Sequence, residues 1–243
     1  MKNVLAPEQL EALRRLGSCA VSNAIEAFDV RLRNAGFVDA SIRCIFKDFP
    51  PIVGYAATAR VRTSVPPMHG HNYLDRTDWW SAILKIPAPR VVVVEDVEKR
   101  PGLGSFVGEV HANILSALGC VSVVTNGAVR DLPQVRSTGF QFFAGNVSVS
   151  HAYAHVFQFG IPVEIGGLKI EPGDLLHGDE HGVLKIPPEI APRIPAKTQE
   201  IQEKEQRIIA KCRSADFSLD QLRELLRDLR AEPKEEGAGR AKT

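Results

Sequence analysis

The sequence predicts one α/β domain, with helices at its N-terminus and a helical extension at its C-terminus. Two valine-rich runs, "RVVVVEDV" and "CVSVVTNG", are typical of strands buried on both faces of a sheet. Residues 109–118 lie between these runs and have the character of a helix, with Gly108 and Gly119 at its two ends. Short segments rich in turn residues follow after Pro162 and predict antiparallel hairpins.

The N-terminal segment "APEQLEALRRLG" predicts the first helix. Pro7 suits the first helical position, leucines recur at helical spacing, and Gly17 ends the pattern. The next segment, "SNAIEAFDV", predicts a second helix with a small apolar face.

The strands are predicted from two patterns. "GYAATARVRT" alternates apolar and polar residues over 57–63, which indicates a half-buried strand, and "GFQFFAGNVSVS" contains a further strand. The pair Asn126-Gly127 is expected to form a turn after a buried strand over 120–125. "PVEIGGLKIEPGDLLHGDEHGVLKIP" reads as four short strands joined by Gly-Gly, Pro-Gly-Asp and "EHG" turns.

The C-terminal third is predicted to be helical. "AKTQEIQEKEQRIIAKC" is a long polar helix, and "SLDQLRELLRDLR" begins with a capping box formed by Ser218 and Gln221. Its leucines, at 219, 222, 225, 226 and 229, form a face for subunit packing or, as the alternative, for a partner protein. Residues 1–232 are therefore assigned to one domain, and residues 233–243 to a disordered tail.

The composition excludes several classes of protein. With 243 residues, 44% apolar and 24% charged, the chain has an ordinary globular composition, and its net charge of +1 argues against nucleic-acid or membrane-surface partners. No run approaches the roughly 20 apolar residues of a membrane span, and "MKNVLAPEQL" lacks a signal-peptide core. The scattered cysteines, Cys19, Cys44, Cys120 and Cys212, are expected to be free thiols in a cytoplasmic protein.

The segment "GEVHANILSALGCVSVVTNGAVRD" carries the candidate chemistry. A helix that starts at Glu109 offers unpaired backbone N–H groups to a carboxylate or phosphate, and Gly108 allows close approach. Arg130, beyond the strand, could complete this anion site, and Asp131 could give one oxygen ligand to Mg²⁺ or Mn²⁺. Glu109 offers a second carboxylate. An adjacent Arg-Asp pair can also be a surface ion pair or a helix cap, and this alternative stays open.

Together with "FGIPVEIGGLKIEPGDLLHGDEHGVLKIP", this segment resembles the RraA-like family, over roughly residues 15–210, and the "NGAVRD" element is fairly specific. The family comprises regulators of ribonuclease E activity and 4-hydroxy-4-methyl-2-oxoglutarate aldolases. The resemblance implies a swivelling-type α/β/β sandwich, assembled as a homotrimer or homohexamer with active sites at subunit interfaces. It also implies a class II pyruvate aldolase that depends on a divalent metal and also decarboxylates oxaloacetate.

The resemblance further implies a role for each site residue. The amides of Gly108, Glu109, Val110 and His111 would hold the pyruvate carboxylate. Arg130 would contact the keto and enolate oxygen, Asp131 would bind the metal directly, and Glu109 would hold a metal-bound water. A neighbouring subunit would add a glutamate from the C-terminal helix. Glu205 aligns best with it, and Glu200 and Glu203 lie nearby.

Two positions depart from the aldolase pattern. Gln134 stands where the family has an acidic residue, three positions after the metal aspartate, and Asn126 replaces the aspartate of "DGAVRD". Gln134 can hydrogen-bond a water but adds no negative charge, so a change in metal affinity or proton transfer is expected. The alternative function is a non-catalytic ring that binds ribonuclease E or another protein, as the regulators in the family do.

The histidines suggest further possibilities. His151 and His155 in "HAYAH" would share a helical face and could hold zinc, as in a hydrolase, although structural or substrate-shaping roles are favoured. His177 and His181 have the same spacing, but a Gly-rich hairpin does not give the same geometry. The loop "HGHNYLD" is expected to pack on the surface or, alternatively, to give His69, His71 or Arg76 to a neighbour's pocket.

Overall fold

The computed structural model describes residues 4–67 and 77–231. Its helices are α1 (Pro7–Arg14), α2 (Ser18–Phe28), α3 (Thr77–Ile83), α4 (Glu109–Ala117), α5 (Leu132–Thr138), α6 (Ile194–Cys212) and α7 (Leu219–Ala231). Its strands are β1 (Arg43–Cys44), β2 (Ile52–Arg62), β3 (Arg90–Asp96), β4 (Ser105–Val107), β5 (Cys120–Val129), β6 (Gln141–Val147), β7 (His155–Phe159), β8 (Val163–Ile165), β9 (Leu168–Ile170), β10 (Leu175–Asp179) and β11 (Gly182–Ile186).

The main sheet has the strand order β1-β6-β5-β3-β2-β10-β11. The central neighbours β2, β3, β5 and β6 run parallel, whereas β10 and β11 are antiparallel to their neighbours. Strand β4 pairs in parallel with β5, and β7 pairs antiparallel with β2. The hairpin β8–β9 forms a separate small sheet.

Helices cover one face of the main sheet and the β8–β9 hairpin covers the other, which confirms the predicted α/β/β class. On one face of the sheet, Trp79, Leu115 and Val135 from α3, α4 and α5 join one apolar cluster with strand residues. On the other face, the β8–β9 hairpin packs Ile165 and Ile170 against the strands. Helices α1, α2 and α6 enclose a third cluster beside β2, β10 and β11, as expected for N-terminal helices and a C-terminal extension.

Two details of the strands differ from the sequence prediction. Strand β2 is buried on both faces over residues 52–59, because layers cover both sides of the sheet there, whereas Arg60 and Arg62 keep the predicted alternation. Asn126 and Gly127 do not form a turn but continue β5 to Val129. Asn126 donates its amide to the carbonyl of Asp96 on β3 (3.0 Å) and accepts the Asp96 N–H (2.7 Å), which keeps the strand paired through an irregular register.

The C-terminal helices follow the prediction in outline. Helix α6 packs mainly against α2, and α7 packs on α6 without burying any residue. The predicted capping box is half formed. The hydroxyl of Ser218 accepts the N–H of Gln221 (3.3 Å), whereas the Gln221 side chain donates to Asp216 (3.5 Å).

All four cysteines are free thiols, as predicted. Within the described ranges, no helix combines the length and the apolar character that a membrane crossing requires. The predictions for the loop at 69–76 and for the tail at 233–243 concern residues outside those ranges.

Candidate active site

The end of β5 and the start of α4 lie side by side. Strands β4 and β5 are parallel, with Ser105 opposite Ala128 and Val107 opposite Val129. Helix α4 begins two residues after β4, and the N–H of Arg130 donates to the carbonyl of Val107 (3.0 Å). Residues that follow β5 therefore meet the first turn of α4.

The carboxylate of Asp131 joins these two chain segments. Its Oδ2 accepts the backbone N–H of Glu109 (3.0 Å), and its Oδ1 accepts the Nε–H of Arg130 (3.1 Å). Asp131 has a left-handed backbone, with φ of 55°, and immediately precedes α5. Such a backbone is unfavourable for a residue with a side chain, and it persists where the surroundings fix it.

The electrostatic environment keeps Asp131 ionised. Burial works against ionisation, but the N–H of Glu109, the hydrogen bond and charge of Arg130, and the charge of His151 outweigh it and lower the pKa of this carboxyl. About a third of the side chain is exposed, at 30%. An ionised, accessible carboxylate with unused lone pairs suits a hard cation such as Mg²⁺.

Gly108 makes this contact possible. A Cβ at this position would lie 2.4 Å from the Asp131 Oδ2 and 2.9 Å from the Arg130 Cγ. The backbone φ of Gly108 is −136°, which other residues also adopt, so close approach is the reason for glycine here.

The side chain of His111 is buried in the core. It is 2% exposed, and its Nδ1–H donates to the carbonyl of Phe106 (2.8 Å), within an aromatic group that includes Trp79. Burial lowers the pKa of His111 to about 4, so the imidazole is neutral at pH 7. Only the backbone of His111 is therefore available to a ligand at the start of α4.

His151 lies near the site, and sequence reasoning did not assign it there. The segment is not helical, so the predicted shared helical face of His151 and His155 is wrong. His151 is in a loop and donates Nδ1–H to the carbonyl of Ser105 (2.9 Å), whereas His155 begins β7 and donates to Tyr153 (2.7 Å). The charge of His151 favours the ionised form of Asp131, which indicates proximity.

Gln134 and the candidate glutamates of α6 have no side-chain hydrogen bond or ion pair with Asp131 among the described residues. Gln134 is exposed on α5, and Glu205 is exposed on α6. Glu200 pairs with Lys197 and Lys204, and Glu203 accepts the Gln199 amide. Over residues 4–67 and 77–231, no hydrogen bond or ion pair connects Glu205 with Arg130 or Asp131.

A compact group of possible metal ligands lies elsewhere, at the tip of the β10–β11 hairpin. Among the described residues, Asp179, Glu180 and His181 are the group of three whose ligand atoms lie within 4.8 Å of one another. Asp179 already accepts the backbone N–H groups of Ser18 (2.6 Å) and His181 (2.9 Å), so it caps α2 and shapes the turn. His177 is buried beside it and bonded to Ser18 and to the Leu16 carbonyl. These contacts explain the hairpin without a metal.

Comparison with known proteins agrees with the fold. Residues 18–184 match the family RraA-like, described as Aldolase/RraA. The chain is 26% identical over 224 residues to protein DlpA of Legionella pneumophila, covering 90% of this chain and 34% of DlpA. It is 30% identical over 101 residues to a Halalkalibacterium halodurans protein provisionally named as a 4-hydroxy-4-methyl-2-oxoglutarate aldolase, covering 41% of this chain and 48% of that one. The chain therefore spans less than half the length of these relatives.

Solved structures share the same fold. An uncharacterized protein from Pseudomonas syringae pv. tomato has a TM-score of 0.70 at 20% identity, over 92% of this chain and 96% of that one. Streptomyces coelicolor RraAS2, described as an unusual member of the RNase ES inhibitor RraA family, has a TM-score of 0.65 at 20% identity, over 84% and 96% of the two chains.

Proposed function

Because the chain belongs to the RraA-like family, we propose that it is a class II aldolase that requires Mg²⁺ or Mn²⁺. Its substrate would be a 4-hydroxy-2-oxo acid of the 4-hydroxy-4-methyl-2-oxoglutarate type, cleaved to pyruvate and a second carbonyl compound. Oxaloacetate decarboxylation would be a second activity. The observation that carries this proposal is the contact of the Asp131 carboxylate with both the Glu109 N–H and the Arg130 side chain.

The residues present fit a divalent metal. Asp131 is ionised and accessible, and each of its oxygens keeps a lone pair beyond its present hydrogen bond. A metal held by Asp131 would act as a Lewis acid toward the 2-oxo group. Asp131 is the one direct protein ligand we assign, so the substrate and waters would complete the coordination.

The start of α4 and Arg130 would bind the charged parts of the substrate. The N–H of Glu109 already donates to Asp131, so the remaining N–H groups of the first turn of α4 would bind the substrate carboxylate. Arg130 now donates to Asp131 through Nε, and its other N–H groups are donors for the 2-oxo oxygen. This oxygen gains negative charge as the enolate forms, so the stabilisation by Arg130 grows toward the transition state.

The bond change is an ordinary retro-aldol cleavage. A water held by the exposed carboxylate of Glu109 would accept the proton of the 4-hydroxyl group. The C3–C4 bond then breaks, its electron pair forms the pyruvate enolate, and C4 leaves as a carbonyl. Protonation of C3 gives pyruvate.

Assembly into a homotrimer or homohexamer would complete the site. Exposed apolar side chains lie on α4, on β6 and just after β6, with Val110 at 57%, Val147 at 48% and Val149 at 94% exposure. A second copy could cover these side chains and supply Glu205 from its own α6. A cytoplasmic location accords with the free thiols.

The direct test is pyruvate release from oxaloacetate and from 4-hydroxy-4-methyl-2-oxoglutarate, with Mg²⁺ and with EDTA. Wild type should release pyruvate only with the metal. Arg130→Ala should be slower by about 100- to 1,000-fold, the typical effect of losing a preorganised donor. Arg136→Ala is the control, because Arg136 pairs with Asp48 on the exposed side of α5. Near-normal turnover in Arg130→Ala would refute the assigned site.

The alternative function is a non-catalytic ring that regulates ribonuclease E. The neutral Gln134 favours it, because the site then has one carboxylate fewer than the family's aldolase pattern. In that case purified protein would release no pyruvate with any tested metal and would inhibit RNA cleavage by ribonuclease E.

A further inference from the structure

A second candidate binding site lies away from Asp131. A cavity of about 690 Å³ opens between the loop at residues 31–39, the β8–β9 turn and the end of β11. Its basic lining residues are Arg31, Lys169 and Lys185, and its acidic ones are Asp39, Asp174 and Glu189. The volume is within the range of about 300 to 1,000 Å³ that is usual for small-molecule sites.

Arg31 is built into the wall of this cavity. Its Nη1–H donates to the carbonyl of Lys185 (2.6 Å), which fixes the guanidinium against β11. The guanidinium lies over Gly36, where a Cβ would be 2.1 Å from the Arg31 Cζ. Gly36 has φ of +88°, so both its backbone conformation and the neighbouring Arg31 favour glycine.

Among the described residues, no ion pair balances the charge of Arg31. Within residues 4–67 and 77–231, no carboxylate lies within ion-pairing distance of its guanidinium. Burial accordingly lowers the pKa of Arg31, and the more distant charge of Glu26 opposes this shift. A partly buried cation without a counter-ion is costly, so an incoming anion would gain more here than at an exposed arginine.

The acidic side chains of the cavity are largely occupied by other contacts. Asp174 accepts the Nζ–H of Lys185 (3.1 Å), and Asp39 accepts the N–H (2.9 Å) and hydroxyl (2.5 Å) of Ser41. Lys185 is thereby neutralised, whereas Arg31 and Lys169 have no ion pair within the described part of the chain. Glu189 is exposed. The cations that remain for a ligand are therefore Arg31 and Lys169.

We propose that this cavity binds a small organic anion through its carboxylate or phosphate group, with Arg31 as the anchor and Lys169 as a second cation. The planar guanidinium can present two parallel N–H donors to either group. The cavity is larger than one such group needs, so the rest of a small metabolite fits beside it. The site does not depend on the proposed aldolase activity.

Calorimetric titration with inorganic phosphate and with succinate tests this site. At least one anion should bind wild type. Arg31→Gln should bind it at least tenfold more weakly, because the charge-assisted contact is lost. Arg33→Gln is the matched control, because Arg33 is on the same loop, is 79% exposed and pairs with Glu26 at 3.9 Å. Arg130→Ala should bind as wild type does, which separates this cavity from the candidate active site.

Several results would overturn the proposal. They are the absence of binding of both anions at millimolar concentration, equal binding by Arg31→Gln and Arg33→Gln, and loss of binding in Arg130→Ala. Should Arg31→Gln fail to fold, Lys169→Gln provides the second variant, and unchanged affinity there would count against the site. Tighter binding of phosphate or of succinate identifies which of the two groups the cavity accepts.

Discussion

Replacing Gly108 with alanine is expected to displace the carboxylate of Asp131. The new Cβ would lie 2.4 Å from Oδ2, well inside van der Waals contact, so Asp131 must give up its hydrogen bond from the Glu109 N–H. A hydrogen bond to a charged group contributes about 1.5 to 3 kcal/mol. This carboxylate is 30% exposed and regains some hydration when it moves. We therefore expect the clash to lower the free energy of unfolding by about 1 to 2 kcal/mol.

Gly17 provides a matched control for this substitution. It precedes α2 as Gly108 precedes α4, and there the Asp179 carboxylate accepts the first helical N–H, from Ser18, at 2.6 Å. A Cβ at Gly17 would lie 3.5 Å from the Asp179 Oδ2, an ordinary contact. Both alanine variants share the loss of a glycine N-cap, so their difference isolates the effect of the clash.

The measurement is the free energy of unfolding in urea for wild type, Gly108→Ala and Gly17→Ala at pH 7. Gly108→Ala should be the less stable variant by about 1 to 2 kcal/mol. It should also lose metal-dependent pyruvate release, if the proposed activity is correct, whereas Gly17→Ala should keep it. Equal stability of the two variants would refute the reasoning from close approach at Gly108.

Three further outcomes are expected. Unfolded histidine binds a proton near pH 6.5, whereas folded His111 binds one only near pH 4. The free energy of unfolding therefore decreases as pH falls through this window, by about 2 kcal/mol from pH 7 to pH 5. In urea unfolding, His111→Phe should lose less free energy of unfolding than wild type between pH 7 and pH 5. The same pH dependence in the variant and in wild type would contradict this. Asn126→Asp should destabilise the protein by about 1 to 3 kcal/mol in the same assay, because a carboxylate cannot donate to the Asp96 carbonyl; Asn113→Asp, on the exposed side of α4, should cost less. Asp131→Asn should abolish Mg²⁺ activation of pyruvate release while the chain stays folded, and unchanged metal titration would remove its assigned role.

The sequence alone determined the main elements of the fold. The valine runs of β3 and β5 are buried on both faces, as their continuous apolar character predicts, and the glycines at 108 and 119 bracket α4. The paired turns after Pro162 predicted the hairpins correctly. These features are local, because hydrophobic periodicity and turn residues act over a few neighbouring positions.

The sequence was less informative where burial and strand pairing depend on contacts with segments distant in the chain. Strand β2 alternates apolar and polar residues over part of its length, and Arg60 and Arg62 keep the more exposed side of that alternation. Residues 52–59 of the same strand are buried throughout, including the polar Thr58, because layers cover both sides of the sheet there. Asn126 and Gly127 have the composition of a turn, but the contacts of Asn126 with Asp96 on β3 hold them in a strand. Hydrogen bonds to a distant segment here outweigh local preference.

At the candidate site, too, the sequence predicted the residue types and the tertiary structure decided their contacts. The sequence placed Glu109, Arg130 and Asp131 at the ends of a helix and a strand, and it identified the residue types that suit an anion and a metal. Only the tertiary structure decided that Asp131 contacts the Glu109 N–H and that His111 turns its imidazole into the core. It also decided that Arg31 lines a cavity, bonded to the Lys185 carbonyl and without an ion pair among the described residues. The physical reason is that parallel strand pairing and layer packing join residues far apart in the chain, and no local pattern encodes those distances.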